Sequence, residues 1–211
     1  MSILSIPSVA AFASARVKLR TNTLVHTSDL DRTTQTVELS GAMWTLELPL
    51  VDLGDSDAAQ VRAFLAELDG PTGRFYASDP RRLVPLGSAA ATPGTPKVAG
   101  AGQTGKTLDV DGAPVTAAGY LLKGDHFAID VPSGLRTMHI LTADVDTDST
   151  GAATFSFRPA LRESPADNAD ILISPASAVF RLPDDEQAVW DEAPGGFHSM
   201  AISAVEAFDV G

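Results

Sequence analysis

Cysteine is absent from the 211 residues. Disulfides and thiolate metal sites are therefore excluded, and stability has to come from packing or from neighbouring subunits. Aromatic residues are scarce at 6%, with only two Trp and two Tyr, so few rings are available to stack on a sugar. No apolar run reaches the roughly 18 residues of a membrane-spanning helix. Cations are outnumbered, with 15 Lys and Arg against 27 Asp and Glu for a formal charge of −12. A surface this acidic repels nucleic-acid phosphates and disfavours tight DNA or RNA binding.

What is present suits a globular chain. Hydrophobic residues make up 44%, too many for a disordered polymer and enough for one large β domain or two small ones. Residues 3–15 (ILSIPSVAAFASA) are apolar and end in a small-x-small pattern. They lack the basic start and unbroken core of a signal peptide, with Pro7 in the middle, so a first β-segment is the expectation.

Alternation with period two recurs along the chain. Residues 34–39 (TQTVEL) and 44–48 (WTLEL) read as strands, the second with Trp44, Leu46 and Leu48 on one side. Further strands are expected at 74–77, 107–110, 120–122, 126–131, 137–143, 153–157, 170–174, 178–182 and 199–205, most bounded by Gly, Pro, Asp or Ser. One segment differs: 57–69 carries Ala58, Val61, Phe64, Leu65 and Leu68 at helical spacing. Asp55 or Ser56 is placed to cap its start and Gly70 to stop it. Residues 78–98, with four prolines and no period, read as a long loop. The densely turned stretch after it suggests a small barrel or sandwich. The fold class expected is mainly β with one α-helix. A sandwich-like domain would be formed by residues 1–90 and 164–211, and a small β-barrel by 98–163.

Three features invite a chemical reading. Gly100-Ala-Gly-Gln-Thr-Gly105-Lys106-Thr107 matches the phosphate-loop pattern letter for letter. That chemistry needs a buried strand before the loop and a helix after it. Here prolines precede it, and Leu108-Asp-Val-Asp-Gly-Ala-Pro114 follows, so a Gly-rich β connection is expected rather than a nucleotide site using Lys106 and Thr107. Asp144, Asp146 and Asp148 alternate like calcium ligands. However, Ser149 replaces the required Gly and Phe155 the closing Glu, so the expectation is an acidic turn. His26, His126, His139 and His198 are scattered without metal spacing, and no G-x-S-x-G elbow occurs. No catalytic residue, cofactor or metal site is therefore expected. The densest basic stretch, Arg16-Val-Lys18-Leu-Arg20, places three cations on one strand face. They read as a solvated face or as a contact with an acidic neighbouring subunit.

Several signatures occur in order. Trp44 precedes a strand ending at Pro49. Ala63-Phe64-Leu65-x-x-Leu68-x-Gly70 leads to Gly73-x-Phe75 and Asp79-Pro80. Gly100-Ala101-x-Gln103-Thr104-Gly105 precedes Leu122-x-Gly124-Asp125-x-x-x-Ile129. Gly151 leads into Phe157-x-Pro159-x-Leu161-Arg162, and the closing strand ends in Glu206. Over roughly residues 40–206 this pattern resembles the siphophage distal tail, or minor tail (baseplate), protein family. The resemblance implies a non-enzymatic virion adaptor that assembles in the host bacterial cytoplasm. It would cap the tail tube as a ring, six copies being usual and three the alternative, and carry the hub and fibre proteins. DNA would be met only in passage, and no membrane insertion is expected. The competing expectation is a carbohydrate-binding β module of a baseplate or cell-surface protein, for which Trp190 is the one candidate platform.

Overall fold

The computed structural model describes residues 2–8, 14–186, 190–193 and 197–209. In chain order the elements are β1 (Leu4–Ser5), β2 (Arg16–Arg20), β3 (Thr23–Thr27), β4 (Thr34–Glu38), β5 (Met43–Leu53), α1 (Asp55–Glu67), β6 (Phe75–Ser78), β7 (Lys97–Val98), β8 (Gly105–Asp111), β9 (His126–Asp130), β10 (Arg136–Leu141), β11 (Ala153–Leu161), β12 (Ile171–Leu172), β13 (Ser177–Arg181), β14 (Trp190–Ala193) and β15 (Phe197–Glu206). The protein is mainly β with α1 as the α-helix among the described residues. The expected first β-segment is the two-residue β1; residues 9–13 of that stretch lie outside the described ones.

A seven-stranded sheet runs β1-β6-β13-β15-β5-β2, with β14 added against β15. Its centre is the β5–β15 pair, where Leu46 and Leu48 lie opposite Ala204 and Ile202. Alternation along β5 sends Trp44, Leu46, Leu48 and Leu50 into one core. Helix α1 packs there with Ala58, Val61, Phe64 and Leu65, joined by Leu68 just beyond it. Each large apolar side chain buried this way contributes on the order of 1.5–3 kcal/mol. The helix starts two residues before the expected 57, with Gly54 as N-cap and no side-chain cap bond. Asp55 and Asp57 instead lie in its first turn, where carboxylates offset the positive end of the helix. Asp69 and Gly70 both turn left-handed after its last turn, and Gly73 brings the chain so close that a Cβ would strike the Leu68 backbone.

The six-stranded sheet runs β12-β9-β10-β11-β8-β7. Its two edges meet: Lys97 bridges Asp170 across β7 and β12, and the Ile171 amide donates to the Pro96 carbonyl at 3.0 Å. The sheet therefore curls into a nearly closed barrel around Phe127, Phe155, Phe157, Leu108 and Tyr120. Its last strand, β12, lies beyond residue 163. The expected strand at 120–122 reduces to a single bridge, Leu121 to Val145.

The segment between β6 and β7 includes a 3-10 turn at Ser88–Ala90 and is fixed to the barrel from Leu86 onward. Asp125 accepts bonds from the Leu86, Gly87 and Leu122 amides. The Tyr120 hydroxyl donates to the Pro93 carbonyl, and Ala89 is buried. It has no period because side-chain-to-backbone bonds, rather than a repeating face, hold it.

The third sheet is the hairpin β3–β4 alone. Every residue of both strands is exposed.

Candidate interaction surfaces and the buried junction

Strand β2 ends the path of the larger sheet, paired only to β5 among the described residues. Ala15, Val17 and Leu19 pack partly against the core, and Arg16, Lys18 and Arg20 face solvent. Arg16 meets Glu47 at 2.9 Å across the β2–β5 pair, both largely exposed. The three cations thus share one face of an edge strand, which is where a sheet can accept another chain.

The Gly-rich match resolves into a loop that binds its own backbone. The Gln103 side-chain amide donates to the carbonyls of Ala99, Gly100 and Asp109 at 2.8, 3.2 and 3.1 Å. Its oxygen accepts from the Asp109 amide. Gly100, Gly102 and Gly105 take positive φ, and the Gly100 amide donates to the Asp167 carboxylate at 2.8 Å. The Gly100 amide is thus taken by a carboxylate, and a strand follows the loop instead of a helix. Lys106, on β8, pairs with Glu38 at the foot of the hairpin.

The alternating acids diverge in the same manner. Asp144 accepts from the Lys123 amide, Asp146 from the Gly119 amide, and Asp148 from Thr150 and Ala152. Each holds a different backbone segment, and Val145 and Thr147 between them point inward. No three such side chains converge to hold a metal ion among the described residues.

The histidines remain apart. His26 is exposed on the hairpin. His198 bridges Asp55 at 2.7 Å and Arg62 at 3.1 Å, fixing α1 to β15. Arg62 can only donate, so its Nδ1 accepts and the proton sits on Nε2. His139 is enclosed between Phe127 and Phe157. Its Nδ1 faces the Pro159 carbonyl and therefore carries the proton, while Nε2 accepts from Thr137. Burial pushes its pKa down to about 4. The side chain of Trp190 lies outside the described residues, so the glycan-platform expectation has no geometry to examine.

Sequence reasoning missed the junction between the two large sheets. Glu206, ending β15, is 3% exposed and accepts from the Trp44 backbone amide at 3.0 Å. The Trp44 indole N–H donates across to the Met138 carbonyl of β10 at 2.7 Å. Arg162, just after β11, donates to the Ala42 carbonyl at 2.7 Å and lies over the Phe208 ring. His126 sets its ring edge-on to Trp44 at 5.5 Å. Burial raises the Glu206 pKa to about 7 against the opposing pull of the Trp44 and Met138 amides and of Arg162. Trp44, Arg162 and Glu206 each stood in the recurring sequence signatures, but nothing in their spacing said that they would meet. A charged residue closing an apolar strand was the available signal.

No protein-family model matches the chain, and no curated protein matches it.

Proposed function

We propose that the chain is a structural subunit of the distal end of a long-tailed bacteriophage tail, a ring-forming adaptor between the tail tube and the hub and receptor-binding parts. The supporting observation is the contrast in edges. The larger sheet ends on an exposed cationic strand and carries an exposed two-stranded arm, while the barrel closes on itself. A hairpin with no third strand or helix against it is marginal in water, and an open edge invites pairing; both suit a subunit completed by its neighbours. The tail-tip location rests on the sequence resemblance. In this reading the protein acts by shape and adhesion rather than by catalysis, and the virion is where it resides.

The acid excess has a role in that reading. DNA leaving the tail must not adhere to the channel wall, and lumenal carboxylates repel phosphates within about one Debye length, ~8–10 Å. A ring structure whose lumen is lined mainly by Lys and Arg would contradict this.

The edge strand offers a direct test. Reversing Arg16, Lys18 and Arg20 to Glu leaves the buried side of β2 untouched. It is expected to shift the purified chain from multimers to monomers in mass photometry while the far-ultraviolet circular dichroism spectrum keeps its β signature. Multimers of unchanged size in the reversed variant would remove β2 from the subunit contact.

A further inference from the structure

The arm β3–β4 has two unlike faces. Pairing sets Leu24 directly opposite Val37, and alternation brings Leu39 to the same side. The other side carries Thr23, Thr27, Thr34 and Thr36 around Val25. Of the ten large apolar side chains exposed among the described residues, five (Leu24, Val25, Leu30, Val37 and Leu39) belong to this arm and its turn. Leu30, in that turn, is 99% exposed. A merely solvated arm has no use for such a concentration.

A second apolar surface lies beside β1 and β6. A cavity of about 480 Å³ is walled by Ile6, Pro7, Tyr76, Pro80, Leu83 and Pro175. Val84 and Leu86, which follow Leu83 in the chain, are exposed as well. Among the described residues the arm is exposed on both faces, and in the groove Leu83 and Pro175 are exposed while Ile6, Pro7, Tyr76 and Pro80 are half-buried. The two surfaces also belong to opposite ends of the strand order: the arm springs from β2, and the cavity borders β1 and β6.

Their charges are complementary. The arm's turn carries Asp29 and Asp31 against a single cation, Arg32, and hydrogen bonds from Ser28 and then Thr33 hold the Asp31 carboxyl below the usual carboxylate range. Arg81 and Arg82 sit between Pro80 and Leu83 of the groove, with no side-chain ion pair among the described residues, and they outnumber the neighbouring Asp79, which accepts from the Arg81 backbone amide at 2.9 Å.

We infer that the arm of one copy lays its Leu24–Val37 face into the Ile6–Tyr76–Leu83 groove of the next copy, with Asp29 and Asp31 against Arg81 and Arg82. The inference rests on the ring reading and specifies its interface. Giver and receiver are different surfaces, so the contact is head-to-tail. Each copy offers one arm and one groove, and the repeat closes into a ring or extends as a filament.

The absence of cysteine makes the test clean. Val37→Cys combined with Leu83→Cys places one thiol on each surface with no background thiol. Oxidation is expected to give a ladder of disulfide-linked multimers on a denaturing gel, whereas each single variant stops at dimers. In parallel, Leu24→Asp with Val37→Asp is expected to reduce the assembled mass while the far-ultraviolet circular dichroism spectrum is unchanged. Missing ladders, with multimers intact in the aspartate variant, would overturn the arm–groove contact and leave a ring built on another interface. A ladder from particles that image as open filaments would keep the contact and overturn the ring. A wild-type chain that stays monomeric at high concentration would overturn both.

Discussion

In the barrel the two edge strands meet at the Lys97–Asp170 bridge, whereas the larger sheet stops at the cationic strand β2 and sends out an arm whose every residue is exposed. The polar residues follow the same division. In the barrel, Gln103, Asp125, Asp144, Asp146 and Asp148 all bind the protein's own backbone. Groups that look like ligands in a sequence are there occupied in holding loops. On the larger sheet, Lys18, Arg20 and the apolar side of the arm face outward. A partner would therefore act on the open-edged sheet and its arm rather than at the motif-rich loops.

The largest expected effect comes from breaking the sealed region. Phe127 is fully buried against Phe155, Phe157 and His139, so Phe127→Ala should cost about 3–5 kcal/mol in denaturant unfolding. Asp125→Ala follows. It leaves the Leu86 and Gly87 amides without their partner and should cost about 3 kcal/mol. It should also make the 78–98 strap a preferred cleavage site in limited proteolysis, while cleavage in α1 is unchanged.

The junction and the barrel core should respond to pH in opposite senses. Glu206 has a folded pKa near 7, raised from 4.5. Its neutral form is favoured in the fold, so its contribution is complete below about 4.5 and is lost as pH rises through 7. His139 has a folded pKa near 4, lowered from 6.5. Its contribution is present above 6.5 and lost as pH falls toward 4. By linkage each shift amounts to about 3 kcal/mol at most. Glu206→Gln should therefore stabilise the protein at pH 8 by up to about 2–3 kcal/mol and change little at pH 4.5. A wild-type stability profile unaltered by this substitution would place the carboxyl in water.

The smallest effect is expected at the open edge. The Arg16–Glu47 pair is exposed on both sides, so Arg16→Ala should change unfolding free energy by less than about 0.5 kcal/mol. A larger change would mean that the edge is already structurally committed within one chain.

Much of the fold was legible because burial imposes a period. Trp44, Leu46 and Leu48 alternate into one core, and Ala58, Val61, Phe64, Leu65 and Leu68 recur at helical spacing. The strap at 78–98 was not legible as packed structure, because Asp125 and Tyr120, distant in sequence, hold it. The junction was illegible for a similar reason: Trp44, Met138, Arg162 and Glu206 come from four separated segments. The arm's strand β4 could be read from alternation, but alternation also predicted a buried side, and both of its sides are exposed. A period reports two unlike faces without saying what covers them.

The central claim is that this open-edged sheet is completed by other copies of the chain. Negative-stain images of the purified wild-type protein, with particle mass measured across a concentration series, test it most directly. Rings with an open centre, of six copies or of three, are expected. A single species at 22.0 kDa, persisting to the highest concentration, would contradict it.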